Sequence, residues 1–148
     1  MAAQWPLIVA HLVELLPTLP GWDQVTVFDG PPITGDDPPS YATVGYVEND
    51  QAGTYTQVQD PDGFSRQEGG DVRSQLVCRT GDDDLAGMRT LLFSLVDALD
   101  DRIRADRRLD GVLSPQGTSE LVVDVLSLQT ETGTAQTAVI ALHYTTIT

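Results

Sequence analysis

The sequence predicts an α+β fold: a mainly antiparallel sheet of four to five strands with two helices packed on one face, in the order α-β-β-(loop)-β-α-β-β. Three observations predict it. Residues 71–79 alternate apolar and polar side chains, which is typical of a half-buried strand. An apolar stripe at spacings of three and four follows at 85–103. Two further strand-like segments, 121–128 and 135–147, form a hairpin, and we expect residues 1–148 to make one domain.

The first helix is predicted at residues 5–16. Its main apolar stripe consists of Ile8, Leu12 and Leu15. Val9 and Val13 widen the apolar surface well beyond that stripe. A helix that is apolar on most sides is expected to be buried on more than one side, against its own domain or against another chain.

Two short strands, 24–28 and 41–47, are predicted next. Residues 49–70 are polar and rich in Gly and Asp, and we expect a long mobile loop or a protruding hairpin there. Residues 54–59 could form a weak edge strand within it.

The charge of the chain is strongly negative, at −14, which argues against a sequence-specific nucleic-acid reader. All eight basic residues are arginine, a bias that often accompanies GC-rich coding. Four of them crowd the end of the second helix: Arg102, Arg104, Arg107 and Arg108. They are interpreted as a helix face paired with its own aspartates, with contact to a neighbouring subunit as the alternative.

Two acidic clusters resemble cation sites at first sight. Asp82, Asp83 and Asp84 precede the second helix, where carboxylates are stabilised by exposed backbone N–H groups and the helix dipole. Asp60 and Asp62 flank a proline before a glycine, which is turn chemistry. Neither cluster has the alternating ligands and closing glutamate of a calcium loop, so no metal is predicted.

Nothing in the sequence predicts catalysis or a cofactor. His11 and His143 belong to no metal-binding spacing, and no nucleophile elbow or phosphate-binding loop is present. The single Cys78 lies in the alternating strand and is interpreted as a core residue in a reducing compartment. No membrane span or secretory signal is predicted, so the chain is expected to stay in the cytoplasm where it is made.

The element order and several short motifs resemble the tail terminator proteins of long-tailed bacteriophages that infect actinobacteria. The motifs are VFDGPP at 27–32, YATVGYV at 41–47, RQEGGDVRSQLVCRTGDDDLAGMR at 66–89, RRLDGVL at 107–113 and ALHYTTIT at 141–148. One departure lies in residues 68–72, where the family more often has an aromatic or apolar residue soon after the glutamate.

The resemblance implies a structural virion protein, assembled in the host cytoplasm, with no enzymatic activity. Six copies usually form a ring that caps the completed tail tube and joins it to the head-completion or connector protein. Its partners would be other copies of itself, the major tail tube protein and that connector. DNA would pass through the lumen without being specifically bound.

The ring interpretation assigns expected roles to three groups of residues. The subunit interface would use Trp5, Val9, Val13, Arg102, Arg104, Arg107 and Arg108. The 49–70 segment would contact a neighbour or the tail tube through Tyr55, Asp60, Asp62, Phe64 and Arg66. Asp82, Asp83 and Asp84 would line an acidic lumen that repels DNA, although acidity could equally keep a ring-forming protein soluble before assembly.

Three rival functions remain open at the level of sequence. Another neck component would share the same partners in a different layer. A monomeric binding adaptor would expose an apolar patch without self-association. A small enzyme would need a pocket that brings His11 or His143 against a carboxylate.

Overall fold

The computed structural model describes residues 3–33, 38–59, 61, 63, 65–130 and 133–147, except the side chains of 127–130. It contains the predicted two α-helices and a sheet, so the α+β class is confirmed. The elements are α1 (Trp5–Leu15), β1 (Thr26–Asp29), β2 (Ser40–Val44), β3 (Gly53–Gln59), β4 (Arg66–Thr80), α2 (Leu85–Ala105), β5 (Thr118–Thr130) and β6 (Gly133–Ile147). Two short 3-10 turns, Leu16–Thr18 and Trp22–Gln24, follow α1.

The sheet has six strands where four to five were predicted; it is mainly antiparallel, as predicted, but one parallel pair makes it mixed. Its order is β1-β2-β4-β6-β5, with β3 alongside β4. All pairs are antiparallel except β1 and β2, which are parallel. The connection over residues 30–39 can span about 33 Å when extended, so the chain is long enough to return along a strand of four residues.

β3 and the first half of β4 form the hairpin that was one of the two expectations for the 49–70 segment, and β3 matches the weak edge strand expected at residues 54–59; the element order therefore gains one strand. β3 pairs with the first half of β4 from Gly53↔Val72 to Gln59↔Arg66. β4 therefore begins at Arg66, five residues before the predicted start. After Gly53, every residue of β3 is exposed, so no apolar alternation marks it as a strand in the sequence.

Both helices pack on the same face of the sheet, here called the first face. The predicted stripes of both helices are buried in one core cluster with strand residues: Ile8, Leu12, Leu15, Leu92, Leu95, Leu99, Ile103, Val72, Leu76, Ala138 and Leu142. Trp22 joins them, and its indole Nε1 donates to the Leu95 carbonyl at 3.0 Å. Cys78 is fully buried in this core, as the alternation of β4 predicts.

The alternate residues of the same strands point to the other side of the sheet, here called the second face. Asp71 and Arg73 of β4 stand opposite His143 and Ala141 of β6 on this face. The cross-strand register extends the second face to Glu120 on β5. The first face therefore carries the core, while the second face holds a polar group that includes Asp71, His143 and Glu120.

Candidate functional site

Strand β5 lies at one edge of the described sheet and exposes apolar side chains on both faces. Val122 is 47% exposed, Val125 39% and Leu126 57%. The register with β6 places Val122 and Leu126 on the second face and Val125 on the first. An edge strand of this length, with exposed apolar side chains, is a template for pairing with another chain.

The opposite flank of the sheet offers a second strand edge. Among the described strands β3 pairs only with β4, so its other side faces outward. Tyr55 is 43% exposed and Val58 62%. Val58 stands opposite Gln67 and therefore lies on the second face, whereas Tyr55 lies on the first.

Two buried carboxylates of β4 hold this hairpin in place. Glu68 is 2% exposed and accepts from the backbone N–H of Gln4 at 2.8 and 3.0 Å and from the Tyr144 hydroxyl at 2.9 Å. Burial and the neighbouring Glu68 carboxylate raise the pKa of Tyr144 well above its usual range. Glu68 thus ties α1 and β6 to the start of β4.

Asp71 lies three residues after Glu68 on β4 and holds strand β3. It is 2% exposed and accepts from the Thr54 backbone N–H at 2.7 Å, the Thr54 hydroxyl at 2.6 Å and Arg73 Nε at 3.0 Å. Burial alone would raise the pKa of Asp71, but the hydrogen bonds from Thr54 and Arg73 outweigh it and hold that pKa below its usual value. The ionised carboxylate therefore fixes the entry into β3.

The predicted interface residues of α1 contact their own domain. Trp5 Nε1 donates to the Asp71 carbonyl at 2.9 Å, and Trp5 is half-buried. Val9 packs beside Gly45, and Val13 packs against the core cluster. On α1 the large exposed apolar side chain is Leu7, at 49%. Leu7 was missed because it lies outside the helix stripe.

The four clustered arginines all reach acceptors within the chain. The bonds are Arg102 to both carboxylate oxygens of Asp110 at 2.5 and 2.6 Å, Arg104 to Asp100 at 2.9 Å, Arg107 to the Ser119 carbonyl at 3.1 Å and Arg108 to the Ser114 carbonyl at 3.1 Å. α2 ends at Ala105, so Arg107 and Arg108 lie in the turn beyond it. Arg107 binds the edge strand β5 itself.

Of the five contact residues predicted in the 49–70 segment, the structure describes two, Tyr55 and Arg66. Tyr55 projects from β3. Arg66 begins β4 beside Gln57, whose amide oxygen accepts from Arg66 Nε at 2.7 Å in the orientation that satisfies both groups. Asp60, Asp62 and Phe64 lie outside the described residues.

The acidic run before α2 behaves as a helix cap. Asp84 accepts from the Gly87 backbone N–H at 3.0 Å, which confirms the capping interpretation for this residue. Asp82 accepts from the Asp84 N–H at 2.9 Å and from the Thr80 hydroxyl at 3.2 Å. Asp82, Asp83 and Asp84 are exposed, and the described part of the chain contains no group of three or more potential metal ligands.

Both histidines lie near carboxylates, as the enzyme alternative required. His11 Nε2 is 3.1 Å from Asp110, but Arg102 already binds both oxygens of that carboxylate. Hydrogen bonding from Arg102 holds the pKa of Asp110 below its usual range, so this carboxylate is the anionic half of an ion pair.

His143 stands opposite Glu120 across β6 and β5. It borders a shallow depression of about 510 Å³ on the second face, whose lining also includes Thr54, Thr56, Thr118 and Thr145. Among the described residues, neither histidine is hydrogen-bonded to both a nucleophile and an orienting group, as a catalytic triad requires.

The edge of β5 is the feature that sequence reasoning missed, although a signal was present. Residues 121–126 read LVVDVL, so apolar side chains stand on both faces of the strand instead of alternating. Such a run is typical of a strand buried on both sides. Here Val122, Val125 and Leu126 of this run stay exposed, because no described element covers this part of the strand.

Comparison with known proteins adds no family: no protein-family model matches the chain, and no curated protein matches it. Among the described residues, no helix is both long and apolar enough to cross a membrane.

Proposed function

We propose that this chain is a structural, non-catalytic subunit of a ring that caps the completed tail tube of a long-tailed bacteriophage. The ring would join the tube to the head connector and let DNA pass through its lumen. Its location would be the tail–head junction of the virion, after assembly in the host cytoplasm. The sequence motifs that resemble tail terminator proteins support the identity of the assembly, and the shape of the sheet supports self-association.

The observation that carries the proposal is the exposed apolar edge of β5. Val122, Val125 and Leu126 are exposed within five residues of an edge strand. Glu120 and Asp124 give this edge some charge, but no proline and no described element covers residues 122–126, so the edge stays open to another strand. The edge of β3 provides a different surface on the opposite flank. Two unlike free surfaces on one subunit are what a closed ring of heterologous contacts requires.

The residues assigned from sequence take modified roles in this proposal. The clustered arginines bond within their own chain. Of the four, Arg107 bonds to β5 and is therefore the one nearest the proposed contact. Asp82, Asp83 and Asp84 are exposed and could line an acidic lumen. Tyr55 remains a candidate contact with a neighbour or the tail tube, because it projects from the β3 edge.

The decisive experiment combines light-scattering mass over a concentration series with negative-stain imaging, without and with purified tail tubes. We expect a ring of about six subunits, either free or at the end of tubes. The Leu126→Lys variant should lose the ring, because it places a charge on the apolar edge. The matched control Phe93→Lys alters an exposed apolar residue on α2 (42% exposed) and should keep it.

Each alternative predicts a different result. A strict monomer that does not bind tubes would overturn the proposal in favour of a monomeric adaptor, which would use the same apolar patch for another partner. A ring that binds the isolated connector but not tubes would identify a different neck component.

A further inference from the structure

We propose that neighbouring copies continue one sheet around the ring, with β5 of one copy pairing antiparallel with β3 of the next. This inference rests on the proposed ring function and adds the contact that builds the ring. The partner is therefore a second copy of this chain, bound through backbone hydrogen bonds and the exposed side chains of both edges.

Strand direction supports this pairing. β3 is antiparallel to β4, β4 to β6 and β6 to β5, so β3 and β5 run in opposite directions within one molecule. A rotation about a ring axis preserves the direction of each strand relative to that axis. The β5 edge of one copy would thus meet the β3 edge of the next in antiparallel orientation, which continues the alternation of the sheet.

The faces of the two strands also match. Continuing the sheet keeps the helix-covered first face of every copy on the same side of the ring. Val58 of β3 then shares the second face with Val122 and Leu126 of β5, while Tyr55 shares the first face with Val125. Exposed apolar residues on each side of the junction would cover one another, as cross-strand pairs do within a sheet.

The charges of the two edges are compatible despite the strong negative charge of the chain. β5 carries Glu120 and Asp124 on its second face. β3 has the sequence GTYTQVQ and no charged side chain. Carboxylates of one copy would therefore meet hydroxyl and amide groups and not other carboxylates, which avoids the cost of opposed like charges.

The positions of the other strands restrict the register. β1 and β2 occupy the flank of the second half of β4, so only the first half, where β3 lies, is open to a neighbour. The neighbouring β5 must then be displaced along the strand direction, as strands are staggered in closed barrels. Within one molecule β3 is level with the start of β5, residues 118–121, so the displacement moves later residues of β5 along β3, and the proposed register places the exposed residues 122–126 there.

Paired cysteine substitutions test the contact directly. Within one molecule β3 and β5 are separated by two strands, about 14 Å at about 4.8 Å per spacing, which no disulfide can bridge. Three double variants combine Val58→Cys with Val122→Cys, Asp124→Cys or Leu126→Cys, all on the second face. The native Cys78 is fully buried and does not compete.

Mild oxidation in the presence of tail tubes should give a ladder of covalent multimers for at least one of the three variants. The matched control, Val58→Cys with Val125→Cys, places the second thiol on the opposite face of the same strand and should stay monomeric on a denaturing gel. Rings in the micrographs without a ladder would overturn this inference and leave the ring function standing. The absence of rings as well as ladders would overturn both.

Discussion

At the scale of single residues, two carboxylates determine how the hairpin is held. Glu68 and Asp71 are each 2% exposed in a chain whose net charge is −14. Buried carboxylates are costly unless they are hydrogen-bonded, and each of these accepts three hydrogen bonds. Glu68 binds α1 and β6, whereas Asp71 binds β3, so the two sides of β4 are joined by side chains as well as by the backbone.

Replacement of Asp71 should change the acid stability of the protein. Because the native pKa of Asp71 is lowered, the unfolded state takes up the proton first as the pH falls below about 4. The stabilisation from this ionised carboxylate is present above that pH and is lost as the pH falls through the lower native value. Asp71→Asn should cost about 1–3 kcal/mol at neutral pH and flatten the acid limb of the stability curve.

Urea unfolding between pH 2 and 7 measures both effects. Asp50→Asn is the matched control, because the more exposed Asp50 carboxylate lies 3.6 Å from the same Arg73. An Asp71 variant with the same acid limb as the native protein would contradict the role given to this carboxylate.

Sequence reasoning could not identify these two residues as structural. Residues 66–71 read RQEGGD, and charged side chains beside glycines are typical of a loop. Their partners Gln4, Thr54 and Tyr144 are distant along the chain, so no local spacing indicates the bonds. Asp84 was predictable as a cap because its partner Gly87 is three residues away.

At the scale of elements, the hairpin of β3 and β4 contains a close backbone approach that only glycine allows. Gly53 has φ +152°, and a Cβ at this position would lie 2.0 Å from the Asp71 carbonyl oxygen. Gly69, on the facing strand, would place a Cβ no closer than 3.5 Å to another atom. The two glycines therefore differ sharply in their tolerance of a side chain.

Gly53→Ala should destabilise the hairpin by more than about 1 kcal/mol, since alanine disfavours this φ and collides with backbone. Gly69→Ala should have a much smaller effect. Hydrogen exchange of the β3 amides, together with thermal unfolding of both variants, distinguishes a local from a global loss. Equal losses for the two substitutions would refute the steric explanation.

Regular periodicity determined which elements were predictable. The stripe of α2 and the alternation of residues 71–79 both lie against the core, and both predictions are confirmed. β3 is exposed on both faces, so its sequence carries no period and indicated only a weak edge strand at residues 54–59. The parallel pairing of β1 and β2 depends on the path of a connection, which side-chain patterns do not report.

At the scale of the whole molecule, the negative charge opposes assembly. Each subunit brings a net charge of −14 to a ring, and the proposed contact between β5 and β3 contains no ion pair to offset it. Self-repulsion among copies is screened by salt, with a Debye length of about 10 Å at 0.1 M. The equilibrium between free subunits and rings should therefore depend on ionic strength.

Ring formation should strengthen as salt is raised from about 20 mM to about 300 mM, where the Debye length is several-fold shorter. Light-scattering mass at fixed protein concentration across this range measures the change. Weaker association at higher salt would show that ion pairs dominate the contact, which would favour the arginines of residues 102–108 over the sheet edges.

The burial of Cys78 provides a built-in kinetic reporter. The chain has one cysteine, it is fully buried, and burial raises the pKa of its thiol, so alkylating reagents reach it only when the strands around it separate. The rate at which Cys78 is labelled in native buffer therefore measures how often the sheet opens. The measurement uses the native sequence and needs no introduced cysteine. Compared between free subunits and assembled rings, that rate would show how far assembly slows the opening of each subunit.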